Sequence, residues 1–215
     1  GRRRAQDRGL KLNEYGLFRE DDKLVRCKEE AAIYEALGLP FIPPELREDW
    51  GEFALRETPR LVEEADIRGV IHAHSTYSDG RNTLEEMAES AKKRGYAYLL
   101  ISDHSQSAAY AGGLKPERIA QQHEEIDALN KRWKKFRILK GIESDILTDG
   151  RLDYDDDVLD RFDLVIASVH QKLTMNEDEA TQRVVRAIEH PACKVLGHPT
   201  GRLLLERPGY PLDME

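Results

Sequence analysis

Five of the seven histidines in this 215-residue chain share one kind of placement. His72 and His74 stand one residue apart in "GVIHAHSTYSDG", with Asp79 in the same stretch; His104 closes "LLISDH", His170 closes "LVIASVH", and His198 lies in "VLGHP". Each comes at the end of a short apolar run. A further run, "ILKGIESDI", carries Glu143 late in its length. Imidazole and carboxylate are good ligands for zinc, manganese or iron, and Glu143 could bridge two ions through its two oxygens. Closely spaced divalent ions activate a water and stabilise both the attacking and the leaving oxygen of a phosphoester, so the chemistry to which this set points is metal-assisted hydrolysis.

One His-x-His pair is a weak signal, because histidines satisfied by hydrogen bonds are common in turns and cores. The recurrence carries the argument, and it depends on the elements that deliver it. Strand candidates "GVIHAH", "YAYLLISDH", "RILKGIESDI", "DLVIASVH" and "CKVLGHP" alternate with helical "TLEEMAESAKKRG", "KPERIAQQHEEIDALNKRWKK", "DDDVLDRF" and "NEDEATQRVVRAIEH". That succession implies a parallel α/β sheet or barrel, in which the C-terminal strand ends face one rim and assemble sites from residues distant in sequence. Side chains alternate along a strand, so His72 and His74 are expected on one face. Thr83 with Glu86 and Asn176 with Glu179 have capping-box spacing. His123, inside a helical run, and His190, at the end of one, read as structural; the acidic "DYDDD", 153–157, reads as a solvated helix start. Arg202, just after His198, is a candidate phosphate contact, with a salt bridge as the alternative.

Residues 1–50 form an accessory segment: a basic start, an extended "KLNEYGLF", then a helix in "CKEEAAIYEALG" capped by Gly38. Pro40, Pro43 and Pro44 then forbid regular helix, which suits a linker. Composition is that of a globular chain, 40% hydrophobic and 34% charged. No apolar run of about 18 residues or secretory h-region is present, so no membrane partner is expected and the cytoplasm is the default compartment. Cys27 and Cys193 form no Cys-x-x-Cys pair, which leaves any metal to histidine and carboxylate. The net charge of -8 argues mildly against a broad phosphate-binding surface, although bound divalent cations would offset it locally.

"HAHSTYSDG", "ISDHS", "GIESDIL", "IASVH" and "GHPTGRLL" together resemble the polymerase-and-histidinol-phosphatase (PHP) domain, in the version attached to bacterial family X DNA polymerases. "RAQDRGLKLNEYGLF" and "EEAAIYEALGLPFIPPELRE" resemble the end of the polymerase thumb and its connection to that domain. The resemblance implies a distorted (βα)7-type, TIM-like barrel at 51–215, incomplete at its C-terminus, preceded by a small α+β thumb segment and linker at 1–50. It implies two or three divalent ions, manganese or zinc, held by His72, His74, Asp79, His104, Glu143, His170 and His198, with Glu143 bridging. It implies 3′-to-5′ exonuclease and 3′-end processing activity in DNA repair, with DNA 3′ ends and the rest of a polymerase chain as partners and a nucleoid-associated location. The family adds a further Asp and His from a last barrel portion after "YPLDME", and polymerase palm carboxylates before the thumb; neither is expected in this chain. Two rival readings are a small-molecule phosphomonoesterase of histidinol-phosphatase type, which the same site would support, and a noncatalytic scaffold of the polymerase.

Overall fold

The computed structural model describes residues 1–55 and 57–214, which divide into two compact units, Gly1–Val62 and Glu63–Glu215. The first holds helix α1 (Arg2–Gln6), an antiparallel hairpin of β1 (Leu10–Asn13) and β2 (Gly16–Arg19), and helix α2 (Glu30–Ala36). Ala5, Leu17 and Leu37 form its small buried centre. Gly38 ends α2 with φ +59°, a left-handed backbone that favours glycine. α1 was not expected from the sequence, since its one buried residue, Ala5, gives no periodic signal.

The second unit is the α/β part. Its five strands are β3 (Gly69–Ala73), β4 (Tyr98–Ile101), β5 (Arg137–Asp145), β6 (Leu164–Ser168) and β7 (Cys193–Leu196), each within the run expected for it. They are hydrogen-bonded in sequence order and all parallel, a curled half-barrel sheet with five of the seven strands that a complete barrel of this type calls for. Helices α3 (Leu84–Lys93), α4 (Pro116–Asn130), α5 (Asp156–Leu159) and α6 (Glu177–Ile188) make the crossovers. Parallel neighbours need such crossovers, so every strand runs the same way and every C-terminal end opens on one rim.

Both capping boxes form. Thr83 Oγ1 accepts from Glu86 N at 3.3 Å while Glu86 Oε2 accepts from Thr83 N at 2.8 Å. Asn176 and Glu179 exchange bonds of 2.9 and 3.1 Å in the same manner. α3 buries Leu84, Ala88 and Ala91, spaced four and three residues apart, against Leu99, Ile101 and Ile138 of the sheet; α6 buries Ala180, Val184 and Ala187 against a second cluster around Ile142, Val165 and Ala167. Full burial of each Ile or Leu contributes about 1.5–3 kcal/mol, so these two clusters fix the sheet to its helices. No helix among the described residues is long and apolar enough to cross a membrane.

His123 packs edge-on to Phe162, with ring centroids 5.1 Å apart, and its buried Nε2 has no hydrogen-bond partner. Burial, with Lys140 nearby, pushes its imidazole down to about 4. The folded chain therefore holds His123 neutral where the unfolded chain protonates it. That contribution is present above pH 6.5 and is lost as the pH falls toward 4. His123→Leu is expected to gain about 1–2 kcal/mol on the wild type between pH 7.5 and pH 5, after allowance for partial exposure. Denaturant melts at the two pH values test this, and a pH-independent difference would refute it.

Candidate metal centre

The five histidines and Glu143 converge at the C-terminal rim, but not on a regular strand. β3 carries a bulge between Val70 and Ala73, and His72 adopts φ +64°, a left-handed backbone that a non-glycine residue rarely takes. His74 lies just past the strand end. Plain alternation predicts one shared face; the bulge replaces alternation as the route, and the two rings still meet, on the two oxygens of a single carboxylate. His198 also has positive φ, +27°, so two of the converging histidines sit on strained backbone, a common feature of functional sites. Gly197 before it leaves room: a Cβ there would meet Ser168 Oγ at 2.3 Å and His72 Cε1 at 3.4 Å.

Glu143 is 1% exposed in mid-sheet. Its Oε1 has His72 Nε2 and His198 Nε2 at 2.9 Å and His170 Nε2 at 3.3 Å. Its Oε2 has His104 Nδ1 at 3.2 Å and His74 Nε2 at 3.4 Å. Asp79 closes the far side, with Oδ1 3.4 Å from His74 Nδ1 and Oδ2 3.6 Å from His104 Nε2. Donor atoms of His72, His74 and Glu143, of His74, Asp79 and His104, and of His104, Glu143 and His170 each gather within 4.8 Å.

The donor set fits divalent cations. His104 Nδ1 is close to Glu143 and His74 Nδ1 close to Asp79, yet both are buried and neither makes a hydrogen bond, so two ring nitrogens point into the cluster with their bonding unspent. Burial pushes the His104 imidazole down, which favours the neutral, ligating form. Burial also opposes the charge on Glu143, but hydrogen bonds from His170, His198 and His72 outweigh it and hold the carboxyl far below the usual range. For His170, burial is overcome by Asp145 and Glu143 on its two nitrogens, which raise it to about 9.

A second layer fixes this one, and most of it was not singled out in the sequence. Asp145 Oδ1 accepts from His170 Nδ1, while its Oδ2 accepts from Ser107 Oγ at 2.9 Å. A carboxylate in that position fixes both the ring orientation and the nitrogen left free to ligate. The signal was present: Asp145 is two residues after Glu143, hence on the same face of β5. Asp103 is fully buried and accepts from Ser75 N at 2.7 Å, Ser75 Oγ at 2.6 Å and Gln122 Nε2 at 2.6 Å, tying the loop after His74 to the end of β4. The acidic run is not uniformly solvated. Asp155–Asp157 are exposed at the start of α5, but Asp153 and Tyr154 are buried. Asp153 Oδ2 accepts from Ser107 N at 2.7 Å, and Tyr154 Oη accepts from Gln106 N at 3.1 Å and donates to Leu114 O.

Arg202 is exposed in the turn after His198; its backbone N–H donates to Thr200 Oγ1 at 3.4 Å, and among the described residues its guanidinium has no partner. His190 lies away from the cluster, with Nε2 3.1 Å from Asp156 Oδ1.

A TIM-like parallel sheet bearing buried carboxylate and imidazole donors at its strand C-terminal rim defines an α/β protein built to bind divalent metal. Residues 71–201 match the PHP domain model, and the chain belongs to that family; residues 2–48 match the DNA polymerase beta thumb. The chain is 45% identical over 213 residues to the DNA polymerase/3'-5' exonuclease PolX of Bacillus subtilis (strain 168), covering 98% of this chain and 37% of that protein. It is 31% identical over 158 residues to a "Probable phosphatase" of Thermoanaerobacter sp. (strain X514), covering 67% of this chain and 56% of the relative. A similarly named protein of Vibrio atlanticus (strain LGP32) is 32% identical over 158 residues. The chain thus spans between about a third and somewhat over half the length of these relatives.

Proposed function

We propose that this chain hydrolyses phosphodiesters of DNA from 3′ ends, as the metal-dependent nuclease part of a family X DNA polymerase. Residues 1–50 are assigned to the end of the thumb and its linker, and 51–215 to the PHP phosphoesterase domain. The partners are DNA 3′ ends and the rest of that polymerase, in the cytoplasm at the nucleoid. The observation that carries the reading is the division of five imidazoles between the two oxygens of buried Glu143, three on Oε1 and two on Oε2. One carboxylate so placed suits a bridge between two ion positions, with Asp79 beside His74 and His104 at a third edge.

Two or three divalent ions, manganese or zinc, would supply Lewis acidity toward a phosphoryl oxygen and lower the pKa of a water. His72, His74, Asp79, His104, Glu143, His170 and His198 would hold them. Asp145 keeps His170 turned with Nε2 toward the centre. Arg202, with its charge unpaired and exposed beyond His198, is assigned to a nonbridging phosphate oxygen. The experiment is shortening of a 5′-labelled primer in manganese. His72→Ala/His74→Ala is expected to abolish it, and retained activity in the double variant would sink the ligand assignment.

A second reading has one observation in its favour, the likeness at 31% identity to a protein named as a phosphatase. On that reading the substrate is a small phosphomonoester. Turnover of a phosphorylated amino alcohol beside that of a single-stranded oligonucleotide separates the two.

A further inference from the structure

Beside the cluster stands an aromatic ring that the ligand assignment does not use. Tyr110 is 70% exposed, its ring centroid 6.2 Å from that of His104, and among the described residues its hydroxyl has no hydrogen-bond partner. Its carrier is firmly set. The 3-10 turn Ala109–Ala111 is anchored by Ala108, with no exposure, and Ala111, 5% exposed; Gly113 packs so closely on Ser105 O that a Cβ would lie 1.9 Å from it. Tyr154 Oη and the Leu114 N–H to His104 O bond of 2.8 Å pin both ends of the segment. The fold thus holds a large apolar surface in water, on a rigid mount, next to a ring assigned to two of the three donor groups.

We propose that Tyr110 is a specificity-determining residue, a stacking platform for the nucleobase attached to the phosphate held at the cluster. The proposal rests on the phosphodiesterase reading and adds the part of the substrate recognised. A nucleobase lies one sugar from its phosphate, so phosphate at the histidines brings the terminal base over the neighbouring ring. Aromatic stacking suits a nuclease that must accept any sequence, since every base offers a π-face and none need be read by hydrogen bonds. A small aliphatic phosphomonoester would gain nothing from this ring.

The test uses the full-length protein and two oligonucleotides, one ending 3′ in 2-aminopurine and one in an abasic nucleotide. Y110A is expected to raise KM about tenfold on the first, with kcat little changed, and to leave the second unaffected; Y110F keeps the ring and restores the first. With calcium replacing manganese, binding to wild type and Y110F quenches the 2-aminopurine, whereas Y110A does not. Equal KM changes on both ends, or none on either, would overturn the platform alone. If wild-type protein neither cleaves nor quenches, the phosphodiesterase reading falls and the platform with it.

Discussion

Glu143→Gln is expected to cost at least about a thousandfold in manganese-dependent hydrolysis and to empty the centre of most of its metal, although the substitution removes only a charge. Among the described residues the carboxylate is the one group paired with all five clustered histidines, and at 1% exposure no water can substitute for its oxygens. An amide keeps one acceptor oxygen but places an NH2 against two or three imidazole nitrogens, where it can neither bridge cations nor balance their charge. If Glu143 bridges as proposed, its loss should exceed that of an outer-shell partner, for which about 10–100-fold in metal affinity or activity is usual. Elemental analysis of the purified protein checks the first half. Thermal melts with and without manganese check the rest: wild-type protein should gain about 2.7 kcal/mol at a hundredfold excess over Kd, and the variant almost none. Full metal content in Glu143→Gln would show that the bridge lies elsewhere.

How much of this was legible follows from what kind of signal each residue leaves. The strands and the rim were readable because short apolar runs and helical periodicity are local patterns, and parallel topology then forces their C-terminal ends together. His104 and His170 were singled out as the closing residues of two strand candidates, and they lie three and two residues past the strands that form. The bulge at His72 was not readable, since nothing in "GVIHAH" marks a non-glycine residue for left-handed backbone. Asp103 and Asp153 were missed or misassigned because their partners, Ser75, Gln122 and Ser107, lie 28, 19 and 46 residues away. An acidic run looks solvated until a distant N–H is known to point into it. Asp145 is different: period two from Glu143 already placed it inward, and a buried carboxylate beside a histidine-rich rim has few other uses.

Arg183 is the furthest from its sequence appearance, and its replacement by Met is expected to be the most destabilising single change outside the metal cluster. On α6 it reads as a charged surface residue, yet it is only 5% exposed and has no salt-bridge partner among the described residues. Its guanidinium donates instead to backbone carbonyls: Nε to Leu147 O at 2.8 Å, Nη1 to Gln171 O at 2.9 Å and Lys172 O at 3.3 Å, and Nη2 to Ile146 O. These carbonyls belong to the two loops that begin directly after Asp145 and His170. One planar fork therefore ties together the segments that follow His170 and Asp145, its hydrogen-bond partner, which suits arginine's fixed donors better than a lysine ammonium. Burial lowers the pKa of this guanidinium, but no arginine is deprotonated at working pH, so the carbonyl dipoles are what solvate its charge. Methionine fills similar volume and leaves four acceptors without a donor; at about 1–3 kcal/mol for each that water cannot reach, a loss of about 3 kcal/mol follows. For a chain of this size that lowers Tm by about 6–12 °C. Arg183→Lys, reaching fewer carbonyls, should fall between the two. Because His170 moves with its loop, manganese affinity should decline in the same order as stability, measured on protein still folded at 20 °C. A melting point for Arg183→Met within 2 °C of wild type would show that the loops hold their places without the fork.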